Sequence, residues 1–252
     1  FADVAEDALP SVVNINTVSS MKRGPENGEH PFSRLEEFFN RSFPFFEDNP
    51  RPENHQRRHE QISGTGFVID STGYIVTNYH VIDGADEVYV IFNENKHEEI
   101  KAEVIGFDIR TDLAVLKIDL DRKVPTLKFG NPNDSRVGDW ILVIGNPFGF
   151  GGTVTSGIIS AKARSMQTGY NDLIQTDASI NMGNSGGPML NMKGEVIGVN
   201  RLIYSQTGGN IGIGFAVSAD TVKYVVESIK QHGKVVRPWF GFYFQPIDDK
   251  IA

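Results

Sequence analysis

Short apolar runs separated by Gly, Asp, Asn and Pro dominate the chain from Gly64 onward, and such runs predict strands rather than helices. Gly66 to Asp70 and Tyr74 to Asn78 flank Ser71-Thr72-Gly73, which reads as a hairpin. Further strands are predicted at Glu87–Phe92, Ala102–Phe107, Leu113–Ile118, Trp140–Ile144, Val154–Ala161, Leu173–Ile180, Met189-Leu190, Glu195–Val199 and Gly212–Val217. Near the N-terminus, Phe1, Val4, Ala5 and Ala8 recur at roughly helical spacing until Pro10 stops the pattern, and Ser11–Val18 reads as a strand. The clearest helix comes late: Ser218 is placed to cap it, Val222, Val225, Val226 and Ile229 form its apolar face, and Gly233 ends it. Many short strands at this spacing predict an all-β fold, barrels or a sandwich.

One stretch breaks the pattern. From about residue 19 to 61 the composition turns to Pro, Glu, Asn, Arg and Gly, with phenylalanines at Phe38, Phe39, Phe43, Phe45 and Phe46. Two readings fit: a solvated loop with a short helix near Ser33 to Asn40, or an interaction arm whose aromatic residues bury against another subunit.

With 252 residues, 39% hydrophobic and 22% charged, the chain can build one large β domain or two ordinary ones. A net charge of −8 argues against sequence-independent nucleic-acid binding. The absence of cysteine rules out thiolate catalysis, disulfides and zinc–thiolate or iron–sulfur sites. There is no apolar run of membrane-spanning length, so membrane association is not indicated. Phe1 in place of Met suggests a processed or trimmed product.

The candidate chemistry centres on Gly183-Asn184-Ser185-Gly186-Gly187-Pro188. These are common turn residues, and a plain turn accounts for them; flanking glycines also let other backbone groups approach a serine oxygen closely. A serine nucleophile needs a base, and the base needs an acceptor. Of six histidines, His30, His55 and His59 lie in the polar insertion, His97 in an acidic loop and His232 at the end of the late helix. His80 instead closes the apolar run Thr77-Asn78-Tyr79-His80-Val81, where a strand can fix it. Asp112 stands at the entrance to Leu113-Ala114-Val115-Leu116, as turn aspartates often do. The order His80, Asp112, Ser185 is that of chymotrypsin-type proteases rather than of subtilisins or α/β-hydrolases. Gly145 to Gly152 is glycine-rich but lacks the Lys-Ser/Thr of a phosphate loop, and the pairs Asp119/Asp121 and Asp248/Asp249 lack calcium-ligand spacing.

Taken jointly, several motifs resemble the protease domain of the high-temperature-requirement (HtrA, or Deg) family of serine proteases. They are Phe1-Ala2-Asp3 with Val12-Val13-Asn14-Ile15, Gly64-Thr65-Gly66-Phe67, Thr77 to Val81, Asp112 to Lys117, Gly145-Asn146-Pro147-Phe148-Gly149, Gln175 to Ala178 leading into Gly183 to Pro188, and Gly209 to Ala216.

This resemblance implies two packed antiparallel β-barrels with a C-terminal helix and the triad at their junction. It implies a protease domain over residues 1–233 and, over 234–252, a linker and the opening of a PDZ domain, with one or two peptide-binding domains beyond. Ser185 would be the nucleophile, His80 the base and Asp112 its orienter, with no cofactor or metal. The N–H groups of Gly183 and Ser185 would form the oxyanion hole, so the conformation at Asn184 matters as much as the triad. Ser179, six residues before the nucleophile, would lie at the base of the primary pocket, with Ile180, Tyr204 and Ile211 as walls. No carboxylate stands there, which argues against a trypsin-like demand for Arg or Lys and implies small or medium aliphatic side chains. Arg201 and Tyr204 are bulky enough to narrow this pocket. The resemblance further implies unfolded or damaged protein substrates, a trimer or higher oligomer involving Phe1 to Ala8, a periplasmic location, and an alternative role as a chaperone with the catalytic loop at rest.

Overall fold

The computed structural model describes residues 1–19, 59–92, 98–146, 152–164, 172–181, 183–203, 210–237 and 241. Most of the Phe-rich insertion, residues 147–150, Tyr204 and Trp239-Phe240 lie outside them.

Helix α1 (Ala2–Ala8) runs into a 3-10 turn, Leu9–Ser11, where Pro10 occupies a position that needs no N–H. Strands β1 (Val12–Ser19), β2 (His59–Val68), β3 (Tyr74–Thr77), β4 (Glu87–Phe92), β5 (Glu99–Asp108) and β6 (Leu113–Lys117) close one antiparallel barrel in the order β1-β2-β3-β6-β5-β4. Strands β7 (Trp140–Gly145), β8 (Thr153–Arg164), β9 (Leu173–Thr176), β10 (Pro188–Asn191), β11 (Val196–Ile203) and β12 (Gly214–Ser218) close a second in the order β10-β11-β12-β9-β8-β7. A one-turn helix α2 (Tyr79–Ile82) follows β3, and α3 (Ala219–His232) follows β12.

Alternation along the strands explains why they read as unbroken apolar runs. In β7, Ile141 and Val143 point into the second barrel, while Leu142 and Ile144 point to the layer between the barrels. In β6, Ala114 and Leu116 fill the first barrel, while Leu113 and Val115 face that same shared layer. Both strand faces are therefore buried, and no polar face interrupts the pattern. The shared layer also takes Val12, Phe67 and Val76 from the first barrel, Val199 and Val217 from the second, and Val222, Val225, Val226 and Ile229 from α3.

Helix α3 lies across both barrels, touching β5 and β6 on one side and β11 and β12 on the other. Gly233 ends it with φ 71°. Ser218 sits at the N-cap but makes no side-chain capping bond; its N–H bonds Asp172 O at 3.1 Å, and Thr221 Oγ1 bonds Asp172 Oδ2 at 2.9 Å.

The structure departs from the sequence pattern in two places that matter. Strand β2 begins at His59, inside the stretch read as insertion, because Ser19 to Asn16 of β1 pair with His59 to Ile62 and impose extended backbone on a polar sequence. The apolar run ending at His80 is not a continuous strand: β3 stops at Thr77, and His80 lies on α2.

Candidate active site

The first barrel places His80 and Asp112 together. Asp112 occupies the turn between β5 and β6 with φ 59°, a left-handed conformation that Asp tolerates better than most residues. That turn is held from below: Asp108 Oδ2 accepts the Thr111 N–H at 3.1 Å and its Oγ1–H at 2.5 Å. Arg237, just past α3, clamps both oxygens of Asp108 at 2.7 and 2.5 Å.

Asp112 then acts as a cap for α2 from the start of the neighbouring strand, since β6 pairs with β3. The first N–H groups of any helix lack internal partners. Here Tyr79 N donates to Asp112 O at 3.2 Å and His80 N to Asp112 Oδ1 at 3.0 Å, while Asn78 Nδ2 donates to Asp112 O at 2.8 Å. The remaining carboxylate oxygen, Oδ2, lies 2.8 Å from His80 Nδ1. Asp112 is 2% exposed. Burial pushes its carboxyl up, but His80 and Arg201 more than offset this and hold it below its ordinary value. On α2 itself, the bond to Asp83 pushes the Tyr79 hydroxyl up to about 12, so it stays neutral.

Ser185 comes from the second barrel on the loop between β9 and β10, wedged between the two barrels. Thr65 N on β2 donates to Ser185 O at 2.9 Å, and a Cβ on Gly64 would meet both Val81 of α2 and that same carbonyl. Two glycines make the fit possible. A Cβ on Gly186, whose φ is 83°, would lie 2.2 Å from Thr65 O and 2.3 Å from Thr77 Oγ1 in the first barrel; one on Gly187 would lie 2.1 Å from Ile144 O in the second. From behind, Asn200 of β11 accepts from Gly186 N at 2.9 Å and donates to Gly187 O at 2.9 Å. Asn200 Nδ2 reaches the carbonyls of Ile144, Asn184 and Pro188 at 3.4 to 3.5 Å.

Gly183 has φ 93°, and its carbonyl accepts Thr65 Oγ1–H at 2.5 Å; Thr65 Oγ1 in turn accepts Asn146 N–H at 2.9 Å. Asn184 is buried, its Nδ2 3.3 Å from Ser179 O and its Oδ1 without a partner. Among the described residues, the N–H groups of Gly183 and Ser185 meet no acceptor. Ser185 Oγ lies 3.4 Å from Arg201 O, and no hydrogen bond joins it to His80.

The residues expected around the pocket fall into separate places. Ser179 is exposed, and its carbonyl also takes Thr155 Oγ1–H at 2.8 Å. Ile180, 2% exposed, packs inside the second barrel with Ile141 and Ile159. Ile211 is exposed on a loop that Asn210 ties to Ile180 O at 3.0 Å, and Tyr204 lies outside the described residues. Arg201, expected to narrow the pocket, is instead buried with its Nε 3.2 Å from Asp112 Oδ2. The signal for this was a charge inside the apolar run Val196 to Ile203, since a buried charge needs a partner. Thr65, Asn78 and Asn200 were likewise not singled out; each is a polar residue in or beside an apolar strand and is fully buried.

A family model described as a trypsin-like peptidase domain matches residues 64–199. Curated relatives named "Probable periplasmic serine endoprotease DegP-like" include those of Rickettsia conorii, 45% identical over all of this chain and 50% of the relative, and Pseudomonas savastanoi, 45% identical over all of this chain and 54% of the relative. The chain thus spans about half the length of these relatives. A solved structure of the HtrA-type protease AlgW with a decapeptide superposes with a TM-score of 0.80 at 38% identity, covering 100% of this chain and 74% of that one.

Proposed function

Because the chain belongs to the trypsin-like peptidases, and within them to the HtrA or DegP-like serine proteases, we propose that it is the catalytic part of a periplasmic serine endopeptidase that cleaves unfolded or damaged proteins. The observation that carries this is the 2.8 Å contact between His80 Nδ1 and a buried Asp112 carboxylate held ionised, facing a glycine-flanked serine from the other barrel. Ser185 Oγ attacks the scissile carbonyl while His80 Nε2 takes its proton, and Asp112 holds the imidazole tautomer and stabilises the imidazolium. The N–H groups of Gly183 and Ser185, which meet no acceptor among the described residues, receive the oxyanion. His80 then returns the proton to the leaving amine, and water repeats the sequence on the acyl-enzyme.

Residues 1–233 make up this protease domain, and 234–252 lead into a PDZ domain. Peptide binding, which AlgW's decapeptide complex reports for that protein, carries over to a groove beside the exposed Ser179 and Ile211 that favours small or medium aliphatic residues, since neither position 179 nor 180 is a carboxylate. A homotrimer, alone or within a larger oligomer, is supported by Phe1 and Trp140. They are 52% and 55% exposed and meet edge to face at 5.5 Å, leaving apolar surface for a partner to bury.

Labelling of the oligomeric protein by a fluorophosphonate, with activating peptide present, tests the reading. Ser185 is expected to take the label, and Ser185→Ala to lose casein cleavage by about 10⁴-fold or more. Equal cleavage by both proteins overturns it. A chaperone with a resting catalytic loop is a second reading, favoured by the Ser185 hydroxyl facing Arg201 O instead of His80. Aggregation suppression by the Ser185→Ala protein, together with failure of the wild type to label, would select it.

A further inference from the structure

Asp112 Oδ2 has a second partner that the proposed chemistry does not require. Arg201 Nε approaches it to 3.2 Å from β11, while His80 Nδ1 approaches the same oxygen to 2.8 Å from α2. The Arg201 side chain is 6% exposed, and its Nη1 is buried without an acceptor. A guanidinium does not lose its proton inside a protein, so this positive charge is permanent. A hydroxyl could have satisfied the same lone pair without the desolvation cost of a buried cation, which is several kcal/mol before compensation. The charge itself therefore needs a role.

Proton balance supplies one. With His80 unprotonated, Arg201 and Asp112 sum to zero. If solvent protonates His80, the site holds two cations against one carboxylate. When the proton comes instead from Ser185, the oxyanion formed at the substrate carbonyl adds a second negative charge, and the site returns to zero. Arg201 thus opposes the unproductive protonation without equally opposing the productive one.

Other charges near this pair are already spoken for. Asp108 is bonded to Arg237, Asp83 to the Tyr79 hydroxyl, and Arg110 in the same turn is exposed. Among the described residues, Arg201 and Asp112 are the charged groups that contact His80 or its partner oxygen.

We propose that Arg201 is a positioning residue that locks the Asp112 carboxylate and holds His80 in its unprotonated, working form at acidic pH, extending the range in which the protease operates. The proposal rests on the serine-protease reading given above. A like charge at this range shifts a titration by about one pH unit or more.

The test is the pH profile of kcat/KM for the full-length oligomer with a fluorogenic peptide, beside the pH dependence of fluorophosphonate labelling rate. Wild type, Arg201→Gln, Arg201→Thr and Arg201→Lys are compared. Loss of the charge in Gln and Thr is expected to move the acid limb upward by about one pH unit, while Lys holds it near the wild-type position. Circular dichroism at each pH confines the comparison to the range in which every variant stays folded, so that acid unfolding is not read as a limb. An unmoved or lowered limb in both neutral variants overturns the proposal, as does a Lys variant that shifts as far as Gln. Wild-type protein that takes no label overturns the serine-protease reading and this proposal together; labelling with an unmoved limb overturns this one alone.

Discussion

The two barrels contribute to the site by different means. The first fixes its pair through side chains: Asp112 caps α2, bonds the His80 ring and is itself set by Asp108, Thr111 and Asn78. The second offers a loop held mainly through its backbone, by Thr65 N, Asn200 and the close approach of Gly186 and Gly187 to both barrels. Its serine hydroxyl lies 3.4 Å from Arg201 O and makes no hydrogen bond to the base. The contacts that join the pair to each other lie within one barrel, with Arg201 of the second barrel and Arg237 beyond α3 added around them. The serine's loop depends on how two barrels meet, so the orientation of the nucleophile is the adjustable part and the acid–base pair the constant one.

The largest effect that would break this contrast is expected at Asp112. Asp112→Asn keeps the size and much of the capping but removes the charge and favours the wrong His80 tautomer, so kcat should fall by about 10⁴-fold while circular dichroism stays native. Gly186→Ala probes the other half. Its Cβ meets backbone as well as a side chain at a φ of 83°, so fluorophosphonate labelling should slow by about 10²-fold or more, and barrel-one amides should keep their hydrogen-exchange protection. Native labelling in that variant would mean the wedge is not tight. Thr65→Val removes the donor to Gly183 O and the acceptor for Asn146 N. A roughly tenfold drop in kcat with little change in KM is expected, in keeping with the loss of one or two buried hydrogen bonds.

A smaller effect concerns the brace beneath Asp112. Burial pushes the Asp108 carboxyl up, but Arg237 and Thr111 win and hold it below its ordinary value. A carboxyl lowered on folding contributes stability above its unfolded value and loses it as pH falls through the folded one. Wild type should therefore lose its Tm advantage over Asp108→Asn as pH drops below about 4, and the two melting curves should converge. The smallest effect belongs to Lys230→Ala. Its ion pair with Asp70 is about one-third exposed on both sides, and a change within about 0.5 kcal/mol by urea unfolding is expected.

How much of this was written in the sequence varies with the range of the interaction. Strands such as Glu87–Phe92 are local, and their apolar runs marked them residue for residue. The last helix was equally plain, from Ser218 to Gly233, although Ser218 does not cap it through its side chain. The pairing of His80 with Asp112 could be guessed from order and strand boundaries, but the reason for it, capping of a single helical turn by a residue 32 positions away, could not. Arg201 is the sharpest case. Its sequence neighbours place it on a strand, but whether that strand aims it at a pocket or at Asp112, 89 residues earlier, depends on how the barrels dock. For the same reason, Ile180 could be read as a pocket wall from its position beside Ser179, while the strands of barrel two enclose it in their interior.

Helix α3 lies across both barrels and is the last regular element among the described residues, and this sets a clock on the chain's own biosynthesis. Synthesis runs from the N-terminus, so the first barrel can close while the second is still being made, whereas Arg201 and Arg237, which hold Asp112 and Asp108, come later. The layer that joins the barrels lacks Val222, Val225, Val226 and Ile229 until the end of α3 has emerged. A nascent chain halted before Ala219 should therefore remain unreactive toward a fluorophosphonate, and one released after Gly233 should react. A protease assembled in this order is not armed before α3 is complete.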